Sequence, residues 1–182
     1  MAISFVFDID CQVIDLNWKI AHGVLYTAQR LVSFGLSVPL SCFCGSPVES
    51  LEHLFFSCPL AQSVLSWLQS LMFNFSHLCP VILCRHVFFG FSPDELRITP
   101  RIAYLLNVCK FVTWRFCKDC CFRTVRPDAT SAIVMVKSRV KFNLPLFFRR
   151  FRSSHRQRYF HRQWGARGVV ASVASGQLSL CL

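Results

Sequence analysis

The segment from Cys42 to Cys58 reads C-F-C-G-S-P-V-E-S-L-E-H-L-F-F-S-C. It contains three cysteines and one histidine within seventeen residues, namely Cys42, Cys44, His53 and Cys58. Three thiolates and one imidazole are a complete ligand set for one tetrahedral zinc ion. The Gly45-Ser46-Pro47 turn after the first pair helps to bring the ligands together. Four protein ligands leave no position open for water, so we expect one Zn²⁺ in a structural and not a catalytic role.

The alternative interpretation of these residues is three buried cysteines and a core histidine without metal, because short Cys/His patterns also arise by chance. The first pair, Cys42-x-Cys44, is tighter than the C-x2-C spacing that is common in zinc knuckles. Ligand type, number and spacing nevertheless agree with one another, and this agreement favours zinc. Zinc bound here would contribute folding free energy on the order of 10 kcal/mol at neutral pH.

The charge of the chain is concentrated at one end. Lysine and arginine number 20 against 9 acidic residues, which gives a net charge of +11. No acidic residue follows Asp128, and ten basic residues lie from Lys137 onward. The chain before Lys137 is therefore nearly neutral. A block of one sign indicates an anionic partner, either a phosphate backbone or an anionic lipid surface.

The predicted nucleic-acid contacts are six arginines of this basic end: Arg149, Arg150, Arg152, Arg156, Arg158 and Arg162. Six aromatic residues are interleaved with them: Phe147, Phe148, Phe151, Tyr159, Phe160 and Trp164. Guanidinium groups pair with phosphates, and aromatic rings stack on unpaired bases. The alternative is a solvated amphipathic helix whose rings cover the protein core, and both can hold at once. Because arginine greatly outnumbers lysine here, and a zinc unit accompanies the tail, we favour an RNA or DNA backbone over a membrane.

Composition excludes several classes of protein. The apolar fraction of 53% predicts a buried core. No run reaches the roughly 18 uninterrupted apolar residues of a membrane helix. The N-terminus lacks the basic segment of a secretory signal and carries Asp8 and Asp10. We therefore expect an intracellular protein, nuclear or cytoplasmic and not secreted, whose eleven cysteines are thiols.

Apolar periodicity predicts a mainly α fold: a small helical domain with a zinc-bound loop and a basic helical C-terminal tail. The predicted helices cover Ile14–Ala21, a short segment between a Thr27 cap and Gly35, Pro59–Phe75, Pro100–Phe122, Thr130–Phe142 and Leu146–Trp164. Ile3–Phe7 is a possible strand, Cys79–Ile98 reads as irregular, and Pro145 is expected to end a helix. We divide the chain into a zinc-binding domain at 1–75, a helical extension at 76–143 and a basic, partly disordered tail at 144–182.

Three further clusters of residues are candidate sites. The first, a possible second metal site, consists of His77, Cys79, Cys84 and His86. The second is Cys117, Cys120 and Cys121, which are better explained as buried thiols than as a redox pair. The third is the Asp8-x-Asp10 pair, which a metal-dependent nuclease would use, although no further carboxylate cluster joins it. No nucleophile motif and no phosphate-binding glycine loop occurs in the sequence.

A family resemblance rests on residues on both sides of the cysteines. They are Trp18-Lys19, His22-Gly23, Leu25, Thr27, Leu31, Cys42, Cys44, Glu52-His53-Leu54-Phe55, Cys58 and Trp67. This pattern resembles the zinc-binding domain that follows the reverse transcriptase domain in non-LTR (LINE-like) retrotransposon polyproteins. It covers about Trp18 to Trp67. The C-x-C pair departs from the more frequent C-x2-C of that family.

The resemblance implies that Cys42, Cys44, His53 and Cys58 are the zinc ligands and that the domain binds template RNA or target DNA. The parent polyprotein would be an RNA-directed DNA polymerase, and its remaining parts would be partners of this segment. The chain itself has no Y/F-x-D-D polymerase hairpin and no endonuclease motif, so we expect no enzyme activity and no small-molecule substrate. We expect a C-terminal fragment or a decayed copy, in which Met1 is an internal methionine. The main alternative is a membrane-surface or protein-interaction helical domain without metal.

Overall fold

The computed structural model describes residues 10–75, 81–92, 94–95, 100–123, 128–150, 160, 164, 171–174 and 177–180. Six α-helices, one π-helix and one hairpin are found in these segments. The α-helices are α1 (Cys11–Ala21), α2 (Ala28–Ser33), α3 (Pro59–Phe75), α4 (Cys84–Phe89), α5 (Pro100–Arg123) and α6 (Ala129–Arg150). The mainly α prediction is therefore confirmed. Within the described segments, no helix combines the length and apolarity that crossing a bilayer requires.

Side-chain caps define the start of α1 and of α2, and a glycine follows the end of α2. The carboxylate of Asp10 accepts a hydrogen bond from the Gln12 amide at 3.0 Å and caps α1. The hydroxyl of Thr27 accepts from the Arg30 amide and caps α2, as the sequence predicts. Gly35 follows α2 with a φ of +80°, a left-handed conformation that glycine adopts at little cost.

Helix α5 is the centre of the fold. Every residue from 102 to 113 is buried, so this helix has no exposed face along three turns. Helices α1, α3 and α6 all pack against it. Helix α6 contributes a narrow apolar stripe at four-residue spacing, which consists of Ala132, Val136, Val140 and Leu144. Buried residues from Val13 to Trp164 form a single hydrophobic cluster, which the zinc loop also joins.

Two predicted boundaries are wrong. Helix α6 does not end before Pro145 but continues to Arg150. Proline removes the hydrogen bond to the carbonyl of residue 141, but burial of Val140 and Leu144 on either side of that turn keeps the helix continuous. The segment expected to be irregular contains α4. This short helix is held by burial of His86 and Val87, and the His86 Nδ1 atom accepts a hydrogen bond from the Leu83 amide.

A short antiparallel hairpin lies within the segment predicted as the tail. Strand β1 (Ala171–Ala174) pairs with β2 (Gln177–Leu180), with Ala171 opposite Leu180 and Ala174 opposite Gln177. The possible strand Ile3–Phe7 lies outside the described residues. The division into three domains stays a prediction.

Lys110 provides a test of how tightly α5 is enclosed. Its side chain is 5% exposed, and its ammonium donates to the Val87 carbonyl at 3.0 Å. Burial lowers the pKa of Lys110 from 10.5 to about 7. Between these two pH values the unfolded chain holds a proton that the folded chain has released, so stability rises with pH across this window.

We expect Lys110→Met to stabilise the protein at pH 7 by an amount on the order of a few kcal/mol, because it removes the cost of deprotonating a buried amine. The gain should shrink as the pH approaches 10.5, where both states are neutral at this position. Urea unfolding at several pH values and constant zinc measures it. Lys141→Met, at an exposed position on α6, is the matched control. A gain that does not vary with pH would contradict the assignment.

Candidate metal centre

The four predicted ligands converge in the structure. One donor atom from each of Cys42, Cys44, His53 and Cys58 lies within 4.8 Å of the others. In a tetrahedral site with Zn–S bonds of about 2.3 Å, neighbouring sulfurs are about 3.8 Å apart. The donors are therefore close enough to hold one ion after small side-chain adjustments. Among the described residues, no other group of three or more potential ligands gathers in this way.

The first ligand pair lies on a tight loop. The Cys42 amide donates to the Ser46 carbonyl at 2.9 Å, and the Gly45 amide donates to the Cys42 carbonyl at 3.0 Å. Gly45 has a φ of +91°, which a residue with a Cβ rarely adopts. This turn directs both thiols to one side even though a single residue separates them. The tight C-x-C spacing is thus compatible with a shared ion.

The second ligand pair is brought together by a π-helix, His53–Ser57. The Cys58 amide donates to the His53 carbonyl at 2.7 Å, so residue i+5 lies over residue i. In an α-helix, positions five apart would diverge around the axis. The sequence indicated a helix start at His53 but gave no signal for this wider turn. Nε2 of His53 lies 3.2 Å from Sγ of Cys44, which joins the second pair to the first.

The electrostatics favour a thiolate at Cys58. The Cys42 thiol donates a hydrogen bond to Cys58, which lowers the pKa of Cys58 to about 5. Amides of Leu60 and Ala61, in the first turn of α3, also donate to Cys58 and stabilise its negative charge. The same hydrogen bond, with burial, raises the pKa of Cys42. A bound cation would replace the proton of the Cys42 thiol, because zinc binding releases protons from its thiol ligands.

Residues that the sequence did not single out attach this centre to the rest of the fold. The side chain of Glu49 accepts from the Ala28 amide and its carbonyl accepts from the Gln29 amide, both at 3.2 Å. Glu49 is only 4% exposed, and the Lys118 ammonium lies 3.9 Å from its carboxylate. A carboxylate within a polar loop has no distinctive sequence signal, so only the structure shows that Glu49 anchors the loop.

An aromatic contact anchors the π-helix in turn. The ring of Phe55 stacks near Trp114 on α5, with centroids 6.5 Å apart and an interplanar angle of 28°. The Lys118 ammonium lies 4.4 Å above the other ring of the pair, Trp114. The metal loop is therefore held on α5 by both charge and packing.

The other candidate clusters do not form metal sites in the described residues. His86 is buried, stacks on Phe91 and lies 3.1 Å from Glu95, whereas His77 and Cys79 fall outside the described residues. Cys117 and Cys120 are buried thiols, as expected. Asp10 caps α1 and pairs with Arg139, and its predicted partner Asp8 lies outside the described residues.

The predicted nucleic-acid residues are only partly described. Arg149 and Arg150 form the end of α6, and Arg152, Arg156, Arg158 and Arg162 lie outside the described residues. Two of the interleaved aromatic residues are buried: Trp164 meets Tyr104 edge to face, with centroids 5.7 Å apart, and Phe160 packs on Phe148. These rings cover the core, as the alternative interpretation of the tail expected.

A helical protein organised by a centre of three cysteines and one histidine belongs to the structural zinc-binding class. Residues 8–67 match the family described as zinc-binding in reverse transcriptase, so this part of the chain is a reverse transcriptase zinc-binding domain. This match confirms the predicted resemblance and the single zinc ion. The metal-free alternative is not favoured.

The chain is also similar to a curated protein, the Transposon TX1 uncharacterized 149 kDa protein of Xenopus laevis. The two are 31% identical over 175 residues, and the alignment covers 91% of this chain. The chain spans 12% of the length of that relative. No solved structure matches the chain.

Cobalt(II) titration of the full chain tests the metal centre. We expect one equivalent to bind and to give thiolate charge-transfer and tetrahedral d–d absorption bands. Cys44→Ser should weaken the charge-transfer band by about a third, because one of three thiolates is lost. Cys11→Ser, at an exposed cysteine outside the centre, is the matched control. Full band intensity in Cys44→Ser would remove this residue from the ligand set.

Proposed function

We propose that this chain is a non-catalytic module that binds nucleic acid within a retrotransposon reverse transcriptase polyprotein of the LINE-like kind. Zinc orders the loop, and the residues after Asp128 present a block of positive charge without a single acid. That block is the observation that carries the proposal, because phosphate backbones supply the matching negative charge. The similarity to a transposon protein gives a setting in which RNA and DNA are both at hand.

The mechanism needs no reacting group. Zinc at Cys42, Cys44, His53 and Cys58 supplies cross-linking of the loop, and the protein residues hold the loop on α2 and α5 through Glu49 and Phe55. The last residues of helix α6, Arg149 and Arg150, are the first arginines of the basic tail. In the proposal, the tail tracks the backbone of RNA or DNA while the parent polyprotein performs polymerisation in the nucleus or cytoplasm.

The salt dependence of RNA binding measures the contribution of the tail. We expect the affinity of the zinc-loaded chain for single-stranded RNA to fall steeply with salt, with a log–log slope of about 0.7 for each phosphate neutralised. Replacing Arg149, Arg150, Arg152, Arg156, Arg158 and Arg162 by Gln should reduce this slope by about 4. Fluorescence anisotropy over a range of salt concentrations gives both slopes.

Arg115→Gln, at an exposed position on α5, is the control for the loss of a positive charge outside the tail. The log–log slope of this variant should differ from that of the wild-type chain by no more than the value for one phosphate contact, about 0.7. An unchanged slope in the six-arginine variant would place the nucleic-acid contact elsewhere. Absence of RNA and DNA binding by the full zinc-loaded chain would overturn the proposed function itself.

A further inference from the structure

Four side chains form a continuous row on the surface of α1 and α2. The ring of Trp18 lies 4.6 Å from the imidazole of His22, at an interplanar angle of 43°. The next residue, Gly23, accepts a hydrogen bond on its carbonyl from the guanidinium of Arg30. That guanidinium lies 5.1 Å from the centre of the Phe34 ring. We call these four side chains, Trp18, His22, Arg30 and Phe34, the α1–α2 row.

The aromatic ends of this row contribute little to the core. Trp18 is 51% exposed and Phe34 is 58% exposed. Helix α1 buries Val13, Leu16 and Ile20, which lie on its other side. Helix α2 buries only Ala28. Leaving a large aromatic ring in water forfeits the stabilisation that burial gives, so core packing does not account for either ring.

Arg30, the cation of the row, is half-buried, with its Nε atom enclosed and one Nη atom on the Gly23 carbonyl. Lys19, the neighbour of Trp18, is paired with Asp15 at 2.7 Å. Glu49, which caps α2, is already approached by Lys118. Within the described part of the chain, no carboxylate lies within ion-pair distance of Arg30. The row therefore offers a cation, held in place by the Gly23 carbonyl, between two exposed aromatic surfaces.

We infer that the α1–α2 row is a base-stacking platform for single-stranded nucleic acid, with bases on Trp18 and Phe34 and a phosphate at Arg30. Exposed rings beside a guanidinium that has no carboxylate partner in the described part of the chain are the combination that single-strand binding surfaces use. An apolar protein partner fits less well, because it would desolvate the guanidinium without pairing it. The inference rests on the proposed function, and it places a second contact on the zinc-binding domain, separate from the basic tail.

Substitutions that keep an apolar side chain but remove the aromatic face test this inference. We expect Trp18→Leu and Phe34→Leu each to weaken binding of the zinc-loaded chain to a short single-stranded RNA by roughly tenfold. Trp18→Phe keeps a ring and should retain most of the affinity. Phe73→Leu, at an exposed ring on α3 outside the row, should have no effect. Unchanged circular dichroism and cobalt spectra verify that each variant is folded.

Salt dependence separates this platform from the tail. Stacking releases no counterions, so Trp18→Leu should lower affinity at every salt concentration without changing the slope. Binding of RNA should also quench the fluorescence of Trp18, and the quench should be lost in the leucine variant.

Three results would overturn the inference while leaving the proposed function intact. The first is wild-type affinity in Trp18→Leu and Phe34→Leu. The second is an equal loss in Trp18→Leu and Trp18→Phe, which points to shape and not to stacking. The third is self-association of the wild-type chain that Trp18→Leu abolishes without affecting RNA, which makes the row a protein interface. Failure of the wild-type chain to bind any nucleic acid would overturn both.

Discussion

Convergence of four zinc ligands is the constraint on which this structure depends. Residues 36–50 contain no helix or strand, so few backbone hydrogen bonds hold this loop in one conformation. Zinc in small domains contributes on the order of 10 kcal/mol, which is as large as the whole net stability of a typical protein. The loop, the π-helix and the first turn of α3 all take the positions that bring donors to one point. We therefore expect bound zinc to supply a large share of the order in this part of the chain, beside the contacts of Glu49 and Phe55.

The zinc centre acts on surfaces that it does not touch. The Glu49 carboxylate, in the metal loop, accepts a hydrogen bond from the first amide of α2. Helix α2 carries Arg30 and is followed directly by Phe34. Phe55 leaves the π-helix to stack near Trp114 on α5. A loop that is fixed by metal thus fixes both the short helix on one side and the long central helix on the other. The role of the ion is structural, because binding it would position side chains that lie far from the metal.

The sequence predicts this protein best where the determinants are local. Three features depend on residues that are near one another in the chain. They are the ligands Cys42 and Cys58, the Thr27 cap of α2 and the end of α2 at Gly35. The π-helix, the role of Glu49 and the existence of α4 depend on tertiary contacts, which periodicity does not encode. At Pro145 the local signal is misleading. The sequence predicts a helix end there, but the buried stripe of α6 keeps the helix continuous through the proline. The Phe160 and Trp164 rings illustrate the ambiguity of aromatic residues, which suit a core and a base equally well.

The burial of residues 102–113 on every side of α5 has a consequence for how such a segment can be inherited. The recognisable pattern ends near Trp67, yet the rings that pack on α5 extend to Trp164. Cutting the gene at the edge of the pattern would therefore divide α3, remove α5 and leave the metal loop without its support. Recombination between elements can exchange this domain intact only by carrying along a stretch more than twice as long as its sequence signature. The matched segment identifies the domain, but the ends of the segment that folds with it lie further along the chain.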